Sequence, residues 1–264
     1  MNVMFRSSIV VLLALVVAAC SSDDDPSSAF AELEAQQDVR IGVFAVDTGD
    51  GDVVEHRADE RFAYASTFKA LVVGATLAGG GADDERLLDL MEAAVTVSDN
   101  DAANELLQLL GGPQGFEDAL RAIGDDVTEP DRYEPELTMA RPGDVRDTTT
   151  PRQLATNIRA YAVDDDVLGD DDRALLVGWL RDSTTGTALI RSVVPDGWTV
   201  GDKTGAASYG TRNDVAVLWP PDGGAPVVIA VMTSRDERED ERLDVAVADA
   251  AAVALDALGL DIDR

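Results

Sequence analysis

Segments that favour β-strands lie near both ends of this chain, and segments that favour α-helices fill the region between them. Strand-like composition covers residues 39–47 and 53–54 near the start, and residues 199–204, 214–219 and 226–233 near the end. Helical periodicity covers residues 66–77, 98–110, 116–123, 151–162 and 171–182. The two chain ends would then form one sheet unit, with a helical unit inserted between them.

We predict an α/β unit with an antiparallel sheet flanked by helices, formed by residues 29–60 and 195–264. An all-α domain over residues 61–194 is inserted into it. Helical composition at residues 29–37 and 237–258 supplies the helices that would flank the sheet, and a Thr-Gly-Asp-Gly turn at residues 48–51 predicts a hairpin. We expect a pocket between the two units.

The chain has two lysines and nineteen arginines, and both lysines lie in short polar motifs. Lysine can change its protonation state, whereas arginine in practice cannot, so these two positions suggest proton transfer. Ser66 and Lys69 lie three residues apart at a predicted helix start and would share a face, which pairs a nucleophile with a candidate base. Lys203 precedes Thr204 and Gly205, and a second cation nearby would lower the pKa of the first amine.

A third motif, Ser98-Asp99-Asn100, lies between the two lysine motifs. The set S-x-x-K, S-D-N and K-T-G in this order resembles the active-site serine penicillin-recognising enzymes. Residues 132–137 and 141–151 are similar to the Ω-loop of class A β-lactamases, which penicillin-binding transpeptidases and carboxypeptidases lack. With residues 200–202 and 209–214, the resemblance covers nearly the whole chain after residue 28, and it implies the fold predicted above.

The residues of this loop support the resemblance on physical grounds. Arg132 and Asp147 are predicted to form an ion pair across its neck, so that Glu134 lies near its tip. Thr150 and Pro151 then begin the next helix as an N-cap and a first-turn proline.

The resemblance implies a β-lactam hydrolase in which Ser66 attacks the lactam carbonyl and becomes acylated. Either Lys69, or Glu134 acting through a water, would be the base for this step. Ser98 would relay a proton to the departing nitrogen, and Glu134 would activate the water that releases the product. The implied substrate-binding residues are Asn100, Lys203, Thr204, Gly205, Ala206 and Arg191, and the backbone N–H groups of Ser66 and Ala206 would form the oxyanion hole.

Two departures from the family pattern leave alternatives open. Thr138 stands where the family usually has an asparagine that helps to hold the hydrolytic water, and only twenty-eight residues separate Lys69 from Ser98. Slow deacylation would suit a penicillin-binding D,D-peptidase or an esterase. A pocket that is too open would suit a catalytically inactive surface lipoprotein of the same fold.

The first residues are typical of an export signal. A basic Arg6 precedes an apolar stretch at residues 9–19 that is too short to span a bilayer, and small residues precede Cys20. We interpret residues 1–19 as a lipoprotein signal peptide, Cys20 as the lipidated residue and residues 20–28 as a tether. This predicts an exported lipoprotein, anchored to the membrane on its extracytoplasmic face. An ordinary secretory signal with an accidental cysteine is the alternative.

Composition excludes several other functions. A net charge of −30 argues against nucleic-acid binding through a basic surface. His56, expected at the surface, is the single histidine and Cys20 the single cysteine, so the sequence lacks the ligands of a zinc hydrolase and the residues of a Ser-His-Asp relay. We expect a monomer that needs no cofactor. The acidic composition fits either adaptation to salt or GC-rich codons.

The lipoprotein interpretation predicts the behaviour of Cys20→Ser. Without the thiol no lipid can be attached, so the mature variant should leave the membrane fraction, while the wild-type protein should stay in it. Fractionation followed by immunoblotting measures the distribution. Equal membrane attachment of the two proteins would contradict the interpretation.

Overall fold

The computed structural model describes residues 26–139 and 141–260. The predicted signal peptide and Cys20 lie outside the described residues. The first helix begins at Pro26, so residues 26–28, predicted to belong to the tether, are part of it. No helix in these described ranges combines the length and apolar character needed to cross a bilayer.

A five-stranded antiparallel sheet forms the centre of the molecule, with strand order β2-β1-β7-β6-β5. Its strands are β1 (Arg40–Asp47), β2 (Val53–His56), β5 (Thr199–Ala206), β6 (Arg212–Trp219) and β7 (Val227–Ser234). The β1–β2 hairpin comes from the start of the chain and the other three strands from its end, as predicted. β1, β5, β6 and β7 are buried almost throughout because helices cover both faces of the sheet.

Eight helices accompany the sheet in the described residues. They are α1 (Pro26–Gln37), α2 (Phe68–Ala78), α3 (Glu85–Thr96), α4 (Asn100–Leu109), α5 (Gly112–Ala122), α6 (Pro151–Ala162), α7 (Asp170–Arg181) and α8 (Asp244–Ala257). α1 and α8 pack on one face, where Phe30 and small residues such as Ala250 join one hydrophobic cluster. The second cluster joins α2 to α7 with the other face through residues such as Val215 and Val228. The boundaries proposed for two separate domains stay a prediction.

A two-stranded ribbon ties the two halves of the candidate site together. β3 (Phe62–Ala63) precedes Ser66, and β4 (Thr148–Thr149) follows the loop that carries Glu134. They pair antiparallel, with Phe62 opposite Thr149. The predicted N-cap is present, because the Thr150 side chain accepts a hydrogen bond from the Gln153 N–H at the start of α6. The two ends of the loop are thus held next to the Ser66 segment.

Three details differ from the prediction. The last helix begins at Asp244 rather than at residue 237, because the preceding polar segment forms a loop. α5 begins at Gly112 rather than at residue 116, with Pro113 in its first turn. His56 is not a surface residue: its side chain is 14% exposed, and its ring stacks on Phe30 with 5.1 Å between centroids.

Two helical glycines offer a matched test of this packing. A Cβ at Gly74 in α2 would lie 2.5 Å from the Tyr161 ring, whereas a Cβ at Gly178 in α7 would meet nothing within 4 Å. Gly74→Ala should lower the free energy of unfolding by about 1–3 kcal/mol through overpacking, and Gly178→Ala should raise it by up to about 1 kcal/mol. Urea denaturation measures both values, and equal effects would contradict the described contact between α2 and α6.

Candidate active site

Ser66 lies in a short 3₁₀ turn, Ala65–Thr67, immediately before α2. The turn is tight: Ala65 has a φ of 47°, and the Thr67 hydroxyl donates to the Tyr64 carbonyl oxygen at 2.7 Å. β5 lies directly against it, since a Cβ at Gly205 would come within 2.9 Å of the Tyr64 carbonyl oxygen. Glycine at position 205 therefore permits the close approach between the Ser66 turn and the strand that carries Lys203.

The two lysine ammonium groups meet at Ser98. Lys69 Nζ donates to the Ser98 carbonyl oxygen at 2.7 Å and to its Oγ at 3.3 Å, and it also donates to Asn100 Oδ1. Lys203 Nζ donates to the same Ser98 Oγ at 2.9 Å and to the Thr204 carbonyl oxygen at 3.0 Å. Ser98 adopts a φ of 59°, which turns its hydroxyl and its carbonyl toward these cations.

Burial shifts the proton affinity of both amines. Both lysine side chains are buried, and charged groups are unfavourable away from water. Burial, and then the positive charge of Lys69, lower the pKa of Lys203 to about 7. Burial also lowers the pKa of Lys69, although the neighbouring Glu134 carboxylate acts in the opposite direction. Both amines can thus exchange protons more readily near neutral pH than an exposed lysine can.

The Glu134 carboxylate contacts both Ser66 and Lys69. Its Oε1 accepts a hydrogen bond from Ser66 Oγ at 3.2 Å and lies 3.5 Å from Lys69 Nζ. The Ser66 hydroxyl therefore bonds to the carboxylate, rather than directly to Lys69 as the helical spacing predicted. The Glu134 side chain is 1% exposed, and its Oε2 has no hydrogen-bond partner among the described residues, which leaves a buried acceptor inside the site.

Asn104, which the sequence analysis missed, holds the main chain of Glu134. Its Nδ2 donates to the Glu134 carbonyl oxygen and its Oδ1 accepts from the Glu134 N–H, both at 2.8 Å. Asn104 lies on α4 four residues after Asn100, so the two amides share a helix face. The four-residue spacing from Asn100 was the feature of the sequence that could have indicated Asn104.

The neck of the Glu134 loop, residues 131–147, converges on Asp147. Asp147 Oδ2 accepts from Arg132 Nε, and this ion pair is the one predicted from the sequence. Asp147 Oδ1 accepts from Tyr64 Oη at 2.9 Å and from the N–H groups of Asp131 and Arg132 at 2.9 and 3.0 Å. Since Tyr64 lies two residues before Ser66, Asp147 connects the loop to the nucleophile turn.

Thr138 lies on the far side of the same loop. Its hydroxyl donates to the Pro135 carbonyl oxygen at 2.7 Å. Its own carbonyl oxygen accepts from the N–H of Ser208 at 3.1 Å, which connects the loop to the β5–β6 turn. The hydroxyl is therefore already used as a donor within the loop.

Arg191, predicted to bind the substrate carboxylate, forms an ion pair with Asp202. Its guanidinium donates to the buried Asp202 Oδ1, at 2.9 Å from Nε, and its Nη2 also lies near the Leu180 carbonyl oxygen at 3.5 Å. This ion pair uses Nε and Nη2 of Arg191, and its predicted contact with the substrate carboxylate stays a prediction. Arg212 lies directly opposite Ala206 in the β5–β6 pair, and its Nε donates to Asp244 Oδ1 at 2.6 Å.

The remaining predicted residues lie along β5. Thr204 Oγ1 shares a 2.8 Å hydrogen bond with Thr185 Oγ1, a second residue that the sequence analysis missed. Gly205 and Ala206 follow at the end of the strand next to the Ser66 turn. Among the residues described, no group of three or more His, Cys, Asp or Glu side chains could hold a metal ion.

The sequence model of the β-lactamase enzyme family matches residues 82–258, which is more than half of the chain. The chain belongs to the β-lactamase enzyme family. Within this family it is 52% identical over 256 residues to the β-lactamase of Amycolatopsis lactamdurans, covering 87% of this chain and 84% of that relative. It is 45% identical over 258 residues to the β-lactamase of Bacillus licheniformis, covering 88% and 83% respectively.

Solved structures of β-lactamases share the fold. The crystal structure of a halotolerant bacterial β-lactamase has a TM-score of 0.84 and 44% identity, covering 88% of this chain and 98% of that one. The class A β-lactamase from Clostridium kluyveri DSM 555 has a TM-score of 0.84 and 39% identity, with the same coverage. The predicted fold, an antiparallel sheet from both chain ends flanked by helices, is confirmed.

Asp147→Asn tests the loop neck. The change removes a buried negative charge from beside Arg132, so the free energy of unfolding should fall by about 3 kcal/mol. Asp59→Asn is the matched control, because Asp59 also pairs with an arginine, Arg152, but its side chain is 74% exposed. That variant should lose no more than about 1 kcal/mol. Urea denaturation gives both values, and equal losses would contradict the structural role of Asp147.

Proposed function

We propose that this chain hydrolyses β-lactams through an acyl-enzyme formed on Ser66. The observation that carries the proposal is the position of Glu134, whose Oε1 contacts both Ser66 Oγ, at 3.2 Å, and Lys69 Nζ, at 3.5 Å. One buried carboxylate can then accept a proton from the nucleophile and later from a water. Relatives that are named β-lactamases support the same reaction.

In the acylation step, Ser66 Oγ attacks the lactam carbonyl carbon as its proton leaves. Glu134 or Lys69 receives that proton, and the hydrogen bond from Ser66 favours Glu134. The C–N bond of the ring then breaks, and the nitrogen takes a proton from the Ser98 hydroxyl. Lys69 and Lys203 both donate to that hydroxyl oxygen, so either ammonium can return a proton to Ser98.

Substrate recognition in this proposal uses the end of β5. The buried Lys203 ammonium and the Thr204 hydroxyl would bind the substrate carboxylate. Asn100 has its Oδ1 occupied by Lys69, so its Nδ2 would donate to the substrate side chain. The N–H groups of Ser66 and Ala206 would stabilise the oxyanion.

In the deacylation step, Glu134 would orient and deprotonate a water that attacks the ester carbon of acylated Ser66. The buried Oε2 atom, which lacks a protein partner among the described residues, is a suitable acceptor for this water. The Thr138 hydroxyl donates to Pro135 instead, so Glu134 would have less help than an asparagine amide could give. We therefore expect deacylation to be the slower step.

The proposal extends to location and assembly. An exported monomer, anchored through lipid on Cys20, would meet β-lactams on the extracytoplasmic side of the membrane. The apolar stretch and the single cysteine at its end support this proposal.

Glu134→Gln tests the roles of Glu134 in acylation and in deacylation. The amide can accept neither the Ser66 proton nor the water's proton. Lys69 remains as a base for acylation, so penicillin should still acylate Ser66, more slowly, while release slows by about 10²–10⁴-fold. Intact-mass spectra should then show a stable adduct of one penicillin per protein. Glu136→Gln, which changes an exposed carboxylate two residues away, should turn over like the wild-type protein.

Two further outcomes decide between the candidate functions. Ser66→Ala should give no adduct, and an adduct that persists in it would contradict the assignment of the nucleophile. A wild-type adduct as persistent as that of Glu134→Gln, with cleavage of D-Ala-D-Ala peptides, would identify a D,D-peptidase instead. Thr138 engaged with Pro135 is the observation that keeps this second candidate in view.

A further inference from the structure

A cavity of about 390 Å³ lies outside the candidate active site. It is bounded by β3, by the ends of β1 and β7, by the β5–β6 turn and by the second half of the Glu134 loop. Its volume is in the range of small-molecule binding sites. Its charged walls are formed mainly by arginines, which are Arg40, Arg61, Arg141, Arg146 and Arg235.

The charge of this cavity is opposite to that of the molecule. Five of the nineteen arginines line it, against two acidic residues, Asp144 and Asp236. Two of the five pair with carboxylates just outside the lining, Arg40 with Glu60 and Arg235 with Asp38, which leaves an excess of 5 − 4 = +1. The whole chain carries a net charge of −30. A local excess of guanidinium groups in so acidic a protein favours an anion over a neutral or cationic ligand.

Three of these arginines keep donors available for a ligand, whereas Arg40 and Arg235 pair with Glu60 and Asp38. Arg61 donates to Thr148 Oγ1 at 3.1 Å and approaches Glu129 only to 3.9 Å, so most of its five N–H donors are unused. Arg146 pairs with Asp144 at the rim and is half exposed. The Arg141 side chain forms no ion pair with any residue in the described ranges. A carboxylate can therefore bind without breaking the existing network.

The cavity also has an apolar part. Phe62, Ala63, Pro142 and Tyr209 contribute to its walls. The Arg40 guanidinium already lies over the Phe62 ring, 3.8 Å from its centroid. Phe62 itself is only 2% exposed, so a flat aromatic group would stack on the partly exposed Arg40 guanidinium. A neighbouring guanidinium can bind a carboxylate with two parallel hydrogen bonds.

We propose that this cavity is a binding site for small aromatic carboxylates, separate from the Ser66 site. Arg141, Arg61 and Arg146 hold the carboxylate, and the aromatic body lies toward Phe62 and Tyr209. Because residues 141–146 belong to the Glu134 loop and Arg40 and Arg235 belong to the β1 and β7 side, a bound ligand bridges the loop to the sheet. Binding therefore restrains the Glu134 loop through residues that take no part in the proposed reaction.

Binding of 2-naphthoate, followed by calorimetry, tests the proposal on the folded protein. The neutral analogue 2-naphthalenemethanol should bind at least about tenfold more weakly because it lacks the charge, and inorganic phosphate should also bind more weakly because it lacks the aromatic body. Naphthoate should slow amide hydrogen exchange in residues 141–148. Equal binding of naphthoate and the alcohol, or of naphthoate and phosphate, would overturn the proposal.

Variants separate this cavity from the active site. Arg141→Gln should weaken naphthoate binding at least about fivefold, and Ser234→Glu, which adds a competing carboxylate at the wall, should weaken it further. Arg86→Gln is the matched control on the exposed side of α3 and should bind like the wild-type protein. Unchanged binding in Arg141→Gln, or protection from exchange confined to residues 98–104 and 203–206, would show that the carboxylate occupies the active site and would overturn the assignment.

Discussion

The rest of the site depends on two ammonium groups that are buried around one serine hydroxyl. Lys69 and Lys203 both donate to Ser98 Oγ, at 3.3 and 2.9 Å. Two like charges without water repel each other, and a buried charge is unfavourable unless it is paired and hydrogen-bonded. Glu134 supplies the negative charge next to Lys69, and this requirement brings a carboxylate from a distant loop to the start of α2.

The need to pair buried charges also explains two acidic residues near Lys203, which are Asp202 on β5 and Asp214 on β6. Asp202 and Asp214 are buried, and their negative charges oppose the loss of the proton from Lys203. Burial raises the pKa of each carboxyl group, and Arg191 counteracts this for Asp202 through its ion pair. Arg191 thus contributes to the charge balance next to Lys203 through Asp202.

The motifs were predictable because each is local in the chain. Ser66 and Lys69 lie within one helical turn, and Ser98 and Asn100 lie at the start of α4. Each motif combines polar residue types that rarely occur together. Asn104 and Tyr64 were missed because their value comes from contacts with Glu134 and Asp147, about 30 and 83 residues away in the chain. The start of α8 was placed too early, since charged residues have good helix propensity but residues 237–243 carry no apolar face to pack on the sheet.

The protonation of the two lysines tests the central claim most directly. The chain has only two lysines, so protein labelled with ¹⁵N-lysine gives two side-chain amine signals that can be followed by NMR through a pH titration. Burial together with mutual repulsion predicts that one signal titrates at a pH of about 7. If both amines instead titrate near the ordinary lysine value of about 10.4, they are solvated or far apart, and the account of the site is wrong.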